Sequence, residues 1–289
     1  MSLRGWVLFA AMSVIWGIPY LLIKVAVEGV SVPVLVLART VVGALVLIPL
    51  TLRRAAWTPV LAHWKPVAVF AFFEIIAAWF LLTSAEQHIS SSLTGLLIAA
   101  APIVAALLDR LTGGESRLTP LRLAGLGVGL AGVAVLAGPA LTGGSAWPVT
   151  QVLMVAVCYA IAPLVAARYL EDVPALPMTA ACLGLAAIVY AGPAAVTWPD
   201  TVPETRVLVA LAALAVICTA LAFIVFFALI REVGAARALV FTYVNPAVAL
   251  AAGVIVLNEP LTLWNLTGLT LILTGSVLAT WRTEAVPAP

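Results

Sequence analysis

Charged residues are scarce in this chain: 9% of its 289 residues are Asp, Glu, Lys or Arg, against 64% hydrophobic, and the mean hydropathy is +1.21. So few polar side chains cannot cover a water-solvated surface, which excludes a soluble globular domain and leaves lipid as the solvent for most of the molecule. The net charge of +2 is small and its carriers are scattered, so no nucleic-acid partner is expected. Histidine is confined to His63 and His88, at opposite ends of one apolar segment, and cysteine to Cys158, Cys182 and Cys218, all inside apolar runs. Neither set has metal-ligand spacing, so no metal or cofactor is expected and the thiols read as buried and free. A membrane-embedded enzyme, such as a lipid-modifying transferase or an intramembrane hydrolase, needs nucleophile, base or metal groups converging at one depth, and the chain offers none. Runs such as Leu96 to Leu108 lack the apolar and polar alternation of a membrane barrel strand. The first segment is too long, and too poor in a small-residue cleavage site, to read as a signal peptide.

What is present is a series of apolar segments, each close to the roughly 20 residues that span a bilayer as a helix. They fall near residues 6 to 27, 33 to 52, 66 to 86, 90 to 111, 119 to 139, 147 to 169, 175 to 197, 205 to 230, 235 to 256 and 261 to 282. The expected fold is therefore all-α and integral to the membrane, with ten transmembrane helices. With a cytoplasmic N-terminus, Arg4, Arg53, Arg54, Lys65, Arg110, Arg117, Arg122, Arg168, Arg231, Arg237 and Arg282 collect on the inner side, against Arg206 and Lys24 outside. That bias puts both termini in the cytoplasm. Trp6, Trp57, Trp64, Trp147, Trp198, Trp264 and Trp281 sit at segment ends, where an indole prefers the headgroup level, and only Trp16 and Trp79 fall at membrane depth.

The two halves repeat. At an offset of 144, Pro19, Pro33, Pro49, Pro59 and Pro102 fall on Pro163, Pro177, Pro193, Pro203 and Pro246, Lys24 falls on Arg168, and Glu115 on Glu259. Random placement of the prolines predicts about 0.6 coincidences at a given offset. One position out of that register, Gly125 and Gly132 match Gly268 and Gly275. Each half, 1–140 and 145–289, holds five segments, an odd number, so the second enters the membrane from the opposite side. Two inverted five-helix repeats are an architecture of secondary transporters.

These residues carry a family resemblance. Thr-Ala-Leu-Ala-Phe at 219 to 223, Gly-Ala-Ala-Arg-Ala at 234 to 238, Asn245-Pro246, Leu-Asn-Glu-Pro-Leu at 257 to 261 and the glycine-bounded run 268 to 275 resemble the EamA repeat of the drug/metabolite transporter superfamily. The first half is similar through residues 16 to 24, 85 to 95, 101 to 103, Glu115 and Gly125 to Gly132. It departs from the repeat's pattern at Gly113-Gly114-Glu115, where a leucine-rich approach to the Glu is usual. The resemblance implies ten helices, both termini inside, a central cavity, and export or exchange of small metabolites. The corresponding function is a secondary transporter of small amphipathic solutes, amino acids or related compounds, in the cytoplasmic membrane. The alternatives are proton-coupled efflux of cationic drugs or, further off, a channel or a membrane-embedded enzyme. The partners are the bilayer, a small-molecule substrate and protons as a candidate coupling ion, with the chain acting as monomer or homodimer.

Depth arithmetic selects site candidates. Pro102 and Pro246 lie about 18 and 17 Å along their helices at about 1.5 Å per residue, near the midplane. A proline inside a helix frees a carbonyl, here that of Ile98 or Thr242, for a neighbouring helix, water or a ligand. Asn245 has a polar amide at the same depth. Trp16, Tyr20, Trp79, Tyr159 and Tyr243 either fill space between helices or line a cavity, with hydroxyls for a carboxylate or amine. Glu74, about 12 Å into the third helix, and Arg39, about 9 Å in from the opposite face, are intramembrane charges and so candidate binding, gating or coupling groups. The plainer reading has Arg39 snorkelling and Glu74 neutral or locally paired. Lys24 and Arg168 read as interface anchors, and Glu86-Gln87-His88 as a solvated outer loop or a vestibule open to protons. Glu115 and Glu259 are expected to cap the helix that follows each, or to gate. Gly125, Gly129 and Gly132 are expected to allow close helix packing. Reporter fusions should place residues 1 to 5 and 283 to 289 in the cytoplasm and 140 to 146 outside; an external C-terminus would rule out ten crossings.

Overall fold

The computed structural model describes residues 1–52, 57–111 and 119–280. Glu115, with Arg53, Arg54, Arg117 and Arg282, lies outside the described residues. Among these the structure is helical, without strands. The first span is α1 (Leu3–Ile15) and α2 (Pro19–Ala26); the second is α3 (Val32–Leu52). A short α4 (Trp57–Ala62) leads to α5 (Trp64–Ala71), a π-helical segment (Phe72–Ala77) and α6 (Ala78–Glu86). Then come α7 (Ser91–Ile98), α8 (Ala101–Leu111), α9 (Pro120–Thr142), α10 (Ala146–Tyr169) and α11 (Ala175–Val196). The chain continues through α12 (Thr205–Ala215), a second π segment (Val216–Leu221) and α13 (Ala222–Val233). It ends with α14 (Ala235–Ala238), a 3-10 turn (Leu239–Tyr243), α15 (Asn245–Leu257) and α16 (Leu263–Thr280).

Eight of these stretches are long and apolar enough to cross a membrane, and the apolar helices Asn245–Leu257 and Leu263–Ala279 are shorter. The expected segment 235 to 256 is thus divided, because Pro246 cannot donate to a preceding turn. Pro102 and Pro246 do not kink continuous helices, as expected from spacing. The chain breaks at Ala99–Ala100 and at Val244, and each proline sits in the first turn of the next helix, where its missing N–H costs nothing. Side chains start other helices: Ser90 Oγ accepts from the Leu93 amide, Thr119 Oγ1 from Arg122 and Thr262 Oγ1 from Asn265.

The irregularities repeat with the same 144-residue offset as the prolines: the two π segments coincide residue for residue, and so do the two proline breaks. Packing repeats as well. α9 packs on α16, α3 on α11 and α7 on α15; the span α1–α2 packs on α12 and α13, while its counterpart α10 packs on α5 and α6. Exchanging the halves maps this pattern onto itself. The α1–α2 span is tied to the α12–α13 span at both ends, by the Arg206–Glu28 ion pair at 2.9 Å and by Ser2 and Arg4 on Glu232.

The α9–α16 seam depends on glycine. A Cβ added at Gly275 would run into the Gly129 backbone and lie 2.7 Å from the Gly125 carbonyl oxygen; one at Gly125 would lie 2.5 Å from the Ala279 amide. This confirms close packing by small residues. Gly127, on the same helix, faces open space. Gly275→Ala should therefore lower the thermal midpoint in detergent by the equivalent of about 1–3 kcal/mol of overpacking. Gly127→Ala should leave it unchanged or slightly raised. Equal midpoints for the two variants would contradict this account of the seam.

Candidate functional site

Intramembrane charge is the costliest feature of the sequence, so the site is built outward from it. Arg39, on α3, does not snorkel: it is 4% exposed, with its guanidinium carbon 3.8 Å from the Trp79 ring centroid. A guanidinium over an indole face is stabilised by the ring quadrupole. Its Nε donates to Thr219 Oγ1 at 3.3 Å, and Thr219 itself donates to the Leu214 carbonyl. The second π segment thus carries Arg39's partner, whose hydroxyl reaches back to a carbonyl of the preceding helix. The first π segment is answered similarly: Tyr190 Oη donates to the Ile76 carbonyl at 2.6 Å.

Tyr20 and Tyr159 stand within electrostatic range of Arg39, and Trp79 touches Tyr159. Glu74, half-buried within the first π segment, is within range of Tyr159, Cys158 and Cys182. Arg39 and Glu74 do not pair; the ion pairs among the described residues are Arg4–Glu232 and Arg206–Glu28. Tyr20, Arg39, Glu74, Trp79 and Tyr159 thus form one cluster, with Tyr159 within range of both the guanidinium and the carboxyl.

The other candidates lie elsewhere. Trp16 belongs to an aromatic nest with Phe223, Phe226 and Phe241, at 5.8, 5.0 and 5.5 Å between centroids. With its amide nitrogen turned to donate, Asn245 reaches the carbonyls of Phe241 and Ser13, each at 3.1 Å. Ser13 is available because the chain opens at Trp16 to Ile18, where the Gly17 amide bonds Val14 instead. Asn245 therefore joins two helix breaks. Pro246 is buried beside it and Tyr243 is half-buried at the end of the 3-10 turn. Pro102 is half-buried at the other break, where Ser276 Oγ donates to the Ala99 carbonyl.

Three residues at the predicted outer end depart from expectation. Glu259 does not cap the helix after it, which Thr262 caps, but the start of α7 from the other half. Its Oε1 accepts from the Ser91 amide at 2.8 Å and the Ser91 hydroxyl at 2.9 Å, and its Oε2 from the Ser92 amide at 2.9 Å. The cause is Asn258, left-handed at φ 54°, which turns the chain back over α7 while the Glu259 amide bonds the Gly253 carbonyl. Gly253 is required there, because a Cβ would strike Ser92 Oγ and Glu259 Oε2. Lys24 is not simply an anchor: its Nζ donates to the Glu86 and Ile89 carbonyls at 2.7 and 2.8 Å, capping α6. Gln87 and His88 are exposed, but Glu86 is 0% exposed, so the solvated-loop reading holds for two of the three. Arg168 is exposed beside Tyr169, as an anchor would be.

Thr219, Ser91 and Ser92 were not among the sequence candidates, and Glu86 was read only together with Gln87 and His88, as a solvated loop or a vestibule open to protons. The spacing Trp79, Thr83, Glu86 places Glu86 on the Trp79 face of α6 and is the signal that could have found it. A cavity of about 480 Å³ lies apart from all of these groups, between α3 and the turn before α12, lined by residues such as Val34, Leu37, Val41 and Trp198. Its lining has few polar groups to orient a solute, so the Arg39 cluster is the better candidate site.

Comparison with known proteins gives the family and the fold. The model of the EamA-like transporter family matches residues 3–138 and 146–281. An uncharacterized transporter of Bacillus subtilis (strain 168), YvbV, is 28% identical over 99% of this chain and 94% of its own length. An uncharacterized inner membrane transporter of Escherichia coli (strain K12), YedA, is 27% identical over 96% of this chain and 91% of its own. A solved crystal structure shares the fold with a TM-score of 0.69 at 22% identity, covering 96% of each chain. With two family repeats across nearly its whole length, the chain belongs to the EamA-like transporter family.

Proposed function

We propose that the chain is a secondary transporter that exports or exchanges small amphipathic metabolites, amino acids or their relatives, across the cytoplasmic membrane. It works by alternating access of two inverted five-helix repeats that together make ten crossings, with both termini in the cytoplasm. The self-mapping packing pattern supports that architecture, since an odd number of crossings per repeat reverses the second copy. The short helices α15 and α16 supply the last two crossings, α15 with the help of the turns that precede it.

The observation that carries the substrate class is the unpaired charge at the cluster. Arg39 uses Nε on Thr219 and leaves its terminal N–H groups for a bidentate carboxylate. Glu74, which like Arg39 is within electrostatic range of Tyr159, would receive an ammonium group. A zwitterion satisfies both, while Trp79, Tyr20 and Tyr159 give its side chain an apolar wall. A neutral or purely cationic solute leaves Arg39 without a counter-charge.

Counterflow of labelled amino acids into proteoliposomes tests this. Arg39→Lys keeps the charge but loses the fork and should raise the half-saturation concentration by about tenfold or more. Arg39→Gln should abolish exchange. Uptake that survives Arg39→Gln at wild-type affinity would exclude the carboxylate site.

The second reading, proton-driven efflux of cationic compounds, is favoured by Glu74 alone, a half-buried carboxyl without an ion-pair partner. Glu74→Gln separates the two. If Glu74 holds the substrate ammonium, the variant binds amino acids more weakly but still responds to an imposed pH gradient. If Glu74 is the coupling group, the variant exchanges substrate normally and loses gradient-driven accumulation.

A further inference from the structure

We infer that Glu86 is a proton-binding site, and that proton release from it is linked to opening of the outer end of the transporter. Buried polar atoms require partners, and the described residues include few that lack one. Those are Trp57 Nε1, Thr83 Oγ1, both carboxyl oxygens of Glu86, Ser92 Oγ and Gln151 Oε1. Apart from Trp57, they belong to residues near the outer ends of α6, α7 and α10. Glu86 is the extreme case, a fully buried carboxyl with neither oxygen bonded.

The groups around it supply one nearby ammonium, that of Lys24, for two carboxyls, Glu86 and Glu259, and that ammonium is not hydrogen-bonded to either carboxyl. From α2, Lys24 has an ammonium close by, but it is engaged by the Glu86 and Ile89 backbone carbonyls; Tyr20 is the other titratable group on that helix. From α3, Arg39 acts at a distance and is stacked on Trp79. α10 presents the neutral Gln151, whose amide nitrogen is given to Ser84, and Tyr159; α7 presents Ser91 and Ser92. Glu259, before α16, is a second carboxylate within range, and it accepts three hydrogen bonds. On its own element Glu86 is followed by the exposed Gln87 and His88 and preceded at distance by Glu74.

Two carboxyls that share a water-poor site tend to hold one charge and one proton. Glu259 accepts three hydrogen bonds, whereas the carboxyl of Glu86 has only the Lys24 backbone amide nearby and completes none, so the proton belongs to Glu86. The closed outer end is therefore built around a carboxylic acid at Glu86 and a carboxylate at Glu259. Opening exposes Glu86 to water, its proton leaves to bulk solvent, and the carboxylate that results cannot be reburied without Lys24 leaving its backbone carbonyls. External acid should close this end and external alkali should open it, at up to about tenfold per pH unit for one linked proton. Glu86 lies on the Trp79 face of α6, toward the outer end from Arg39, so its titration controls access to the substrate cluster. That consequence rests on the transporter reading, whereas the proton site does not.

The test is run on purified full-length protein without substrate. Thr83→Cys, placed behind the seal in a background lacking the native cysteines, is reacted with a bulky impermeant maleimide across a pH series. Dividing by the rate in the same reporter carrying Glu86→Gln removes the thiol's own titration. The ratio should rise with pH in the Glu86 protein, and Glu86→Asp, which still titrates, should keep the rise. Glu259→Gln should label faster at every pH with the slope intact. In parallel, the infrared carbonyl stretch of a buried protonated carboxyl should be lost in Glu86→Gln and retained in Glu74→Gln. A ratio flat with pH, or a carboxyl band that disappears with Glu74 rather than Glu86, overturns the assignment. Failure of amino-acid transport alone would count against the proposed function and leave this result standing.

Discussion

Hydrocarbon offers no hydrogen bonds, so every interruption of a helix at membrane depth has to be answered by another part of the protein. This chain interrupts its helices repeatedly, and each interruption has an identified answer. The opening at Trp16 to Ile18 and the break before Asn245 are joined by one amide, from Asn245 to Ser13 and Phe241. The break at Ala99 is met by Ser276, the first π segment by Tyr190 and the second by Thr219. At the predicted outer end Lys24 takes the last carbonyls of α6 and Glu259 takes the first amides of α7. Most of these answers cross from one half of the chain to the other. The halves are therefore held together by directional bonds at a few points, with close apolar packing along the α9–α16 and α3–α11 seams.

That distribution fits a machine with two arrangements. A seam of glycine against glycine tolerates little change in spacing, as the Gly275 and Gly129 contact shows, whereas a carboxylate on helix amides can be released as a unit. In the proposed cycle the bonds of Glu259 to α7 would open at the outer end, with water taking the place of the carboxylate on Ser91 and Ser92. Arg39 is different. Its stacking on Trp79 and its bond to Thr219 join α3, the span containing α6 and the second π segment, so Arg39 itself links the two halves.

Much of this was legible in the sequence. The proline pairs at an offset of 144 marked both positions, although as kinks inside continuous helices rather than as breaks, and Arg39, Glu74, Trp79 and Tyr159 were selected by depth and chemistry. What spacing could not show was direction. A π segment of six residues is indistinguishable from α-helix inside an apolar run, so the partners it creates, Thr219 and Tyr190, stayed hidden. The reversal at Asn258 depends on a left-handed residue, and it sends Glu259 to α7 rather than α16. Glu86 was read with its solvated neighbours because it ends a span, although its helical phase is that of Trp79. Trp16 was grouped with Trp79 by depth, but two residues at one depth on different faces do not meet.

The central claim is that the two ends of the bundle open in alternation around the Arg39 cluster. Electron spin distances measure it most directly, with one label pair at the outer end, Gln87 and Leu261, and one at the inner end, Leu121 and Arg237. In lipid, without substrate and then with saturating amino acid, the two distance distributions should shift in opposite directions, the outer pair separating as the inner pair approaches. Distributions that do not respond to substrate, or outer and inner pairs that widen together as in an open pore, would contradict alternating access.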